Sequence, residues 1–403
     1  MLNAREIIFK ETKPALGCTE PAAIALNAAY LKKYAPFENK IRLTINTNLL
    51  KNAMYVPIPN TGRRFGVKLA CALGYLFGNP QDSLKIFKNI DDEKVKKALE
   101  FTNRISIEVI EGSEIFIKSE NSHAFAVTKK YHDNIEFVKT EKKTFRFSNK
   151  NESADESDPF EGAEFEIVYD LIESQNDFEF VKEAIKLNMN LAEYGLKHDV
   201  GLNIAKQFNS ATVKDKACMI TASASDSRMD GVNLPAMSLT GSGNHGISAT
   251  LPVWVYAMEK SYSRQNALKA VALSMLITIY VKQYLGRLSV ICGAAVASGC
   301  GVAGAIAYIE GGREMSKKAL KLVIQNIGTV LCEGGKMACS LKVLQGARVG
   351  IESAEFALNG VEAYDDGIVF NDVTKTLESL KRIKEKMSGV DNEIIKIMKE
   401  KLL

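Results

Sequence analysis

Seven cysteines occur in the chain, and three of them, Cys292, Cys332 and Cys339, fall in segments rich in glycine and other small residues. Three thiolates can hold a metal centre and leave it one free coordination position, and centres with a free position tend to do chemistry where closed ones are structural. In an unbroken helix the step from Cys332 to Cys339 would separate the Cα atoms by roughly 10.5 Å, too far to share a small centre. Gly334-Gly335 breaks the helix between them and lets both sulfurs converge, and Cys292, followed by Gly293-Ala294-Ala295, offers a third ligand. Cys300, two turns on, competes with Cys292. The alternative is that all are buried small hydrophobes of a helical core. A closed zinc site would want a fourth ligand, and no histidine lies near Cys332 or Cys339. Cys71 and Cys218 read as fillers of core or surface.

Three further stretches carry polar chemistry. In Pro14-Ala15-Leu16-Gly17-Cys18-Thr19-Glu20-Pro21 a cysteine stands just before a helix start, with Thr19 as the expected cap. The helix dipole there would lower its pKa and favour a thiolate nucleophile or base; an ordinary capping turn is the alternative. Thr240-Gly241-Ser242-Gly243-Asn244-His245-Gly246 interleaves glycines with hydroxyl, amide and imidazole groups, a loop whose backbone can touch a small carboxylate. It lacks the Lys-Ser/Thr ending of a phosphate loop, and no clean strand is expected before it. His245 has the most functional surroundings of the four histidines; His123, His132 and His198 read as surface residues. Asn46 to Met54 is rich in amides with a lone Lys51, a turn that could bind a carboxylate or serve as a polar strand-to-helix connection.

These residues need elements to hold them. Residues 1 to 35 read as helical with a break at Lys13-Pro14. From Ile41 the pattern alternates, and strands are expected at IRLTIN, then near 105, 115, 125, 135 and 145, with helices over roughly 62 to 76 and 92 to 102. The acidic, apolar-poor stretch from 149 to 159 reads as a surface loop or boundary. Helical periodicity dominates afterwards, with Ala267 to Lys282 as a central core helix. The expected fold is therefore α+β: a helical segment, 1–40, packed with a mostly helical domain, 161–403, and a smaller mixed domain with a largely antiparallel sheet, 41–160.

Composition narrows the class. With 403 residues, of which 46% are hydrophobic, the chain can bury a substantial core. A net charge of +4 spread along the length gives no basic stripe for nucleic acid. Leu288 to Ile309 runs 22 residues without a charge, but its glycines, alanines and cysteines suit a tightly packed buried helix better than a membrane span. No secretory h-region is read at the start, and irregularly spaced, odd-numbered cysteines argue for reduced thiols, so the expected compartment is the cytoplasm.

Taken together, GCTEPAAIAL at 17 to 26, LLKNAMYVPIPNTG at 49 to 62, GSGNHGISATLPV at 241 to 253 and CEGGKMACSLKV at 332 to 343 resemble the L-cysteine desulfidase family, relatives of the iron–sulfur L-serine dehydratases. The resemblance covers nearly the whole chain. In the serine dehydratases one cysteine, a second a long interval on and a third soon after hold an oxygen-sensitive [4Fe-4S] cluster; here the intervals are 40 and 7. The resemblance thus implies Cys292, Cys332 and Cys339 as cluster ligands, and an open iron acting as a Lewis acid on L-cysteine. The implied reaction is α,β-elimination to sulfide, pyruvate and ammonia. It also implies Cys18 as the base removing the Cα proton, with Asn52, Ser242, Asn244 and His245 orienting the substrate and Lys51 assisting. The β-rich N-terminal piece departs from the serine dehydratases. The competing expectations are the same cluster acting on L-serine, a pyridoxal-phosphate lyase using Lys336, and a non-enzymatic protein with zinc or no metal. A homodimer is expected by analogy.

Overall fold

The computed structural model describes residues 3–112, 114–147 and 159–401. Its first half opens with helix α1 (Ala4–Glu11), strand β1 (Thr12–Leu16) and helix α2 (Thr19–Tyr34). Strand β2 (Ile41–Asn46) runs directly into α3 (Thr47–Ala53), followed by α4 (Val67–Phe77) and α5 (Asp92–Phe101). The alternating stretches then form β3 (Ile105–Ile110), β4 (Phe116–Glu120), β5 (Ala124–Lys129), β6 (Ile135–Thr140) and β7 (Thr144–Arg146). These make a six-stranded sheet of order β3-β2-β4-β5-β6-β7. Only β2 and β3 run parallel, Ile41 opposite Ile105, because α3 to α5 supply the long crossover that a parallel pair requires. The stretch from 149 to 159 lies outside the described residues except for Pro159.

One feature departs from the helical expectation for residues 1–35. Pro14 has no amide hydrogen to donate and keeps the residue before it extended, so Thr12–Leu16 pairs as β1, antiparallel, with a strand from the middle of the chain, β8 (Pro235–Leu239), setting Pro14 opposite Met237. The 1–40 segment accordingly divides. Ala4, Ile7 and Ile8 of α1 join the helical core, whereas α2 lies on the sheet. Ile24, Leu26 and Leu31 sit in the sheet's own core with Leu43 and Ile117, each contributing about 1.5–3 kcal/mol. Asn27, fully buried in α2, donates to Thr128 Oγ1 at 2.9 Å and accepts from the Ser119 amide at 3.0 Å, fastening helix to sheet.

The helical body comprises α6 (Ile167–Glu173), α7 (Lys182–Lys197), α8 (Val213–Met229), α9 (Gly243–Glu259), α10 (Arg264–Leu285), α11 (Val296–Ile327, bent at Gly312), α12 (Cys339–Leu358) and α13 (Val373–Lys386). The chain then returns to the sheet layer. In α14 (Ser388–Glu400), Ile394, Ile395 and Met398 enter the sheet-side core. Helix α10 is long and apolar enough to cross a membrane, but 83% of its apolar window is buried inside the protein, as the central helix of the body. The α+β expectation holds. The charge-free run from 288 is helical only from Val296; residues 288–295 cross between the two cores, with Leu288 in one and Val290 and Ile291 in the other.

Candidate active site

The crossing segment carries Cys292. It is held by a short antiparallel bridge between Ile291 and Leu331, in which the Cys292 amide donates to Val330 O at 2.7 Å and the Cys332 amide to Val290 O at 2.6 Å. Two of the three cysteines are thus fixed by each other's backbone. The chain then turns at Gly334, whose φ of +95° and approach to the Lys51 carbonyl, 2.3 Å from where a Cβ would stand, admit only glycine. This turn returns Cys339, at the start of α12, to the cavity, where its thiol donates to Gly334 O at 3.5 Å. Burial pushes the Cys292 thiol up to about 12, with Cys332 and Cys339 adding to it. Burial followed by Cys332 pushes Cys339 to about 11.

Three thiols that feel one another cannot all ionise without a compensating cation, and binding of a metal centre is what releases such protons. Among the described residues no three His, Cys, Asp or Glu converge to hold one metal ion. Cys300 is excluded from this set: it is fully buried within α11, does not line the cavity, and its thiol is raised by burial with no cysteine neighbour.

The polar loop follows β8, so a strand does precede GSGNHG. Thr240 (φ 48°) and Gly241 (φ 82°) turn the chain into α9, with Ser242 as N-cap. His245 Nδ1 lies 2.8 Å from Thr240 Oγ1. Burial, then Lys282, hold the ring well below the ordinary histidine pKa, so it is neutral. A Cβ at position 293 would stand 2.5 Å from His245 Nε2; glycine there lets the imidazole lie against the backbone beside Cys292. Asn244 accepts from Ser225 Oγ at 3.2 Å.

From the sheet layer come Cys18, Glu20 and Asn52. Cys18, not Thr19, is the N-cap of α2, and its side chain caps nothing. Its thiol donates to Glu20 Oε2 at 2.9 Å. The expected helix-dipole lowering does not prevail: burial, then the Glu20 charge, push Cys18 well above the usual thiol range. Glu20 behaves oppositely. Burial alone would raise it, but His132, the Cys18 hydrogen bond and backbone donors hold it below the usual carboxylate range. Asn52 Nδ2 donates to Glu20 Oε1 at 3.0 Å, and Thr19 Oγ1 ties this wall to the polar loop by donating to Gly241 O at 2.8 Å. His132, expected at the surface, is buried with Nε2 3.9 Å from Glu20 Oε1.

All these groups line one cavity of about 90 Å³. Lys51 does not. Its ammonium, fully buried, pairs with Asp391 of α14 at 2.5 Å and donates to Cys332 O at 3.0 Å, so it braces the cysteine loop from behind and leaves the cavity to Asn52. Lys336, the Schiff-base candidate, pairs with Glu333 at 2.5 Å and is likewise absent from the lining. A larger hollow, about 540 Å³, is a charged groove lined in part by Glu164, Lys317 and Tyr364 and holds none of these residues.

Sequence reasoning missed Glu20, His132, Arg228, Lys282 and Arg287, which complete the wall. Arg287 donates to both oxygens of Glu11, at 2.7 and 2.8 Å. Burial pushes Lys282 down to about 8, against the opposing pull of Cys332. The available signal was a charge set in an apolar or small-residue run: Arg228, with Asp226, in TASASDSRM, and Lys282 at the end of α10.

In this α+β chain three thiols share one cavity with a thiol–carboxylate pair. The chain belongs to the serine dehydratase alpha chain family, whose model matches residues 81–396. That family is one of lyases and is associated with iron–sulfur serine dehydratases. The match takes in the three thiols and the polar loop but begins after Cys18, Glu20 and Asn52. Relatives extend over the whole length. A UPF0597 protein of Nautilia profundicola is 55% identical over 100% of both chains. One of Desulfotalea psychrophila is 34% identical over 99% of this chain and 98% of its own. One of Clostridium perfringens is 33% identical over 97% and 96%.

Proposed function

We propose that the protein is a [4Fe-4S]-dependent L-cysteine desulfidase, with Cys292, Cys332 and Cys339 as the protein's ligands to the cluster. The observation that carries this reading is the meeting of those three thiols with the Cys18–Glu20 pair around a single small cavity. Bound there, a cluster with three protein ligands would supply a Lewis-acidic iron at which a thiolate leaving group is stabilised.

The chain's own residues handle the proton. Glu20, held ionised, accepts the Cys18 thiol hydrogen, so Cys18 can give up that proton as it receives the one from Cα, and the two act as one base. The Cα–H electron pair becomes the Cα=Cβ bond, the Cβ–S bond breaks and sulfide departs. The resulting aminoacrylate tautomerises to an imine, which one water converts to pyruvate and ammonia. Asn52, Ser242, Asn244 and neutral His245 orient the substrate.

The family description favours a second reading, elimination of water from L-serine on the same site. Anaerobically reconstituted protein should release sulfide from L-cysteine faster than pyruvate from L-serine. Equal or faster serine turnover would replace the first reading with the second.

A further inference from the structure

Arg228 ends α8 and is only 3% exposed where it lines the cavity. A guanidinium taken out of water is ordinarily set against a carboxylate, because an unpaired interior charge is costly. Here, among the described residues, no acidic side chain forms an ion pair with it. Nη1 donates to the thioether of Met229 at 3.3 Å, a weak acceptor, and Nε has no hydrogen-bond partner. The acids two residues to either side are committed elsewhere. Asp226 accepts the amides of Leu202 and Ile204 at 3.1 and 2.8 Å, and Asp230 pairs with Arg63 at 2.8 Å. Glu20 is held by Cys18 and Asn52.

Two other orphans belong to the same lining: His132 Nε2, 3.9 Å from Glu20 Oε1, and Asn52 Oδ1, which is buried without a donor. A strong donor and a neutral acceptor, both unpartnered, in a cavity of about 90 Å³ complement a small zwitterion. We propose that Arg228 is the receptor for the substrate's α-carboxylate, with Asn52 Oδ1 taking the α-ammonium; this rests on the amino-acid elimination reading. The planar guanidinium fork suits a carboxylate better than any amide in the wall. The site therefore selects free amino acids over the corresponding amines and over residues whose carboxyl is tied in an amide.

Calorimetric binding to the anaerobically reconstituted holoenzyme tests this without turnover. The probes are 3-mercaptopropionate, which has the thiol and carboxylate, and cysteamine, which has the thiol and amine. Arg228→Met should weaken 3-mercaptopropionate about 30-fold or more and cysteamine less than about 3-fold, with Arg228→Lys between. Cluster absorbance should persist in the lysine variant. Unchanged 3-mercaptopropionate affinity in Arg228→Met would overturn the assignment. So would loss of cluster absorbance in both variants, which would make Arg228 the counter-charge of the thiols. If wild-type holoenzyme turns over neither L-cysteine nor L-serine, the elimination reading falls, while the probe contrast still reads whether Arg228 receives a carboxylate.

Discussion

The two walls of the cavity use the same side chain in opposite ways. On the helical wall Cys292, Cys332 and Cys339 have other thiols for neighbours, and ionisation of Cys292 and Cys339 is opposed by burial and by those neighbours. On the sheet wall Cys18 has a carboxylate for its partner and an exit for its proton. Cys71 and Cys218, fully buried in the two cores, have neither and are raised to about 12 chiefly by burial. Burial is common to all of them. What separates the proposed ligands, the proposed base and the fillers is the first polar neighbour.

Substitutions can break that contrast. Removing any one of Cys292, Cys332 or Cys339 should abolish the cluster absorbance and bound iron, and lower activity by about three orders of magnitude or more; Cys300→Ala should keep both, and loss of absorbance there would shift the ligand set. Cys18→Ala should lower turnover by about 10²–10⁴-fold with absorbance intact, the range of a lost general base. Glu20→Gln should cost less, about 10–10²-fold in turnover, and should move the pH profile, since the thiol loses its acceptor; an unmoved profile would make Glu20 merely structural. Asp391→Asn leaves the buried Lys51 ammonium without its partner and should destabilise the fold by about 3 kcal/mol in denaturant titration.

The smallest effect concerns His132, whose pKa burial lowers from the ordinary value near 6.5 despite Glu20. The unfolded chain then binds more protons than the folded one. Its contribution to stability is present above pH 6.5 and is lost as pH falls through that value toward the folded pKa. His132→Gln should flatten the stability profile below pH 6.5, and an unchanged slope would place the acid sensitivity elsewhere.

Much of this was legible in the residues. Period-two alternation from Ile41 to Phe147 located all six strands of the large sheet, and Gly334-Gly335 announced the turn that brings Cys339 back. Local pattern could not reveal partners distant in sequence. Nothing near Pro14 encodes a strand until Met237 stands opposite it, and Cys18 reads as an activated thiol until its burial beside Glu20 is known. Lys51 misled for the same reason: a lysine among amides suggests anion binding, but its partner lies 340 residues on, in α14. The family match does not reach Cys18, Glu20 or Asn52 because it begins at residue 81.

The return of α14 to the sheet layer bears on the order of assembly. Asp391 and the apolar residues of α14 are synthesised after every residue that lines the cavity. The brace behind the Cys332 loop is therefore the last part to form. During vectorial synthesis the Cys332 loop is made before the partner that fixes the Lys51 brace behind it.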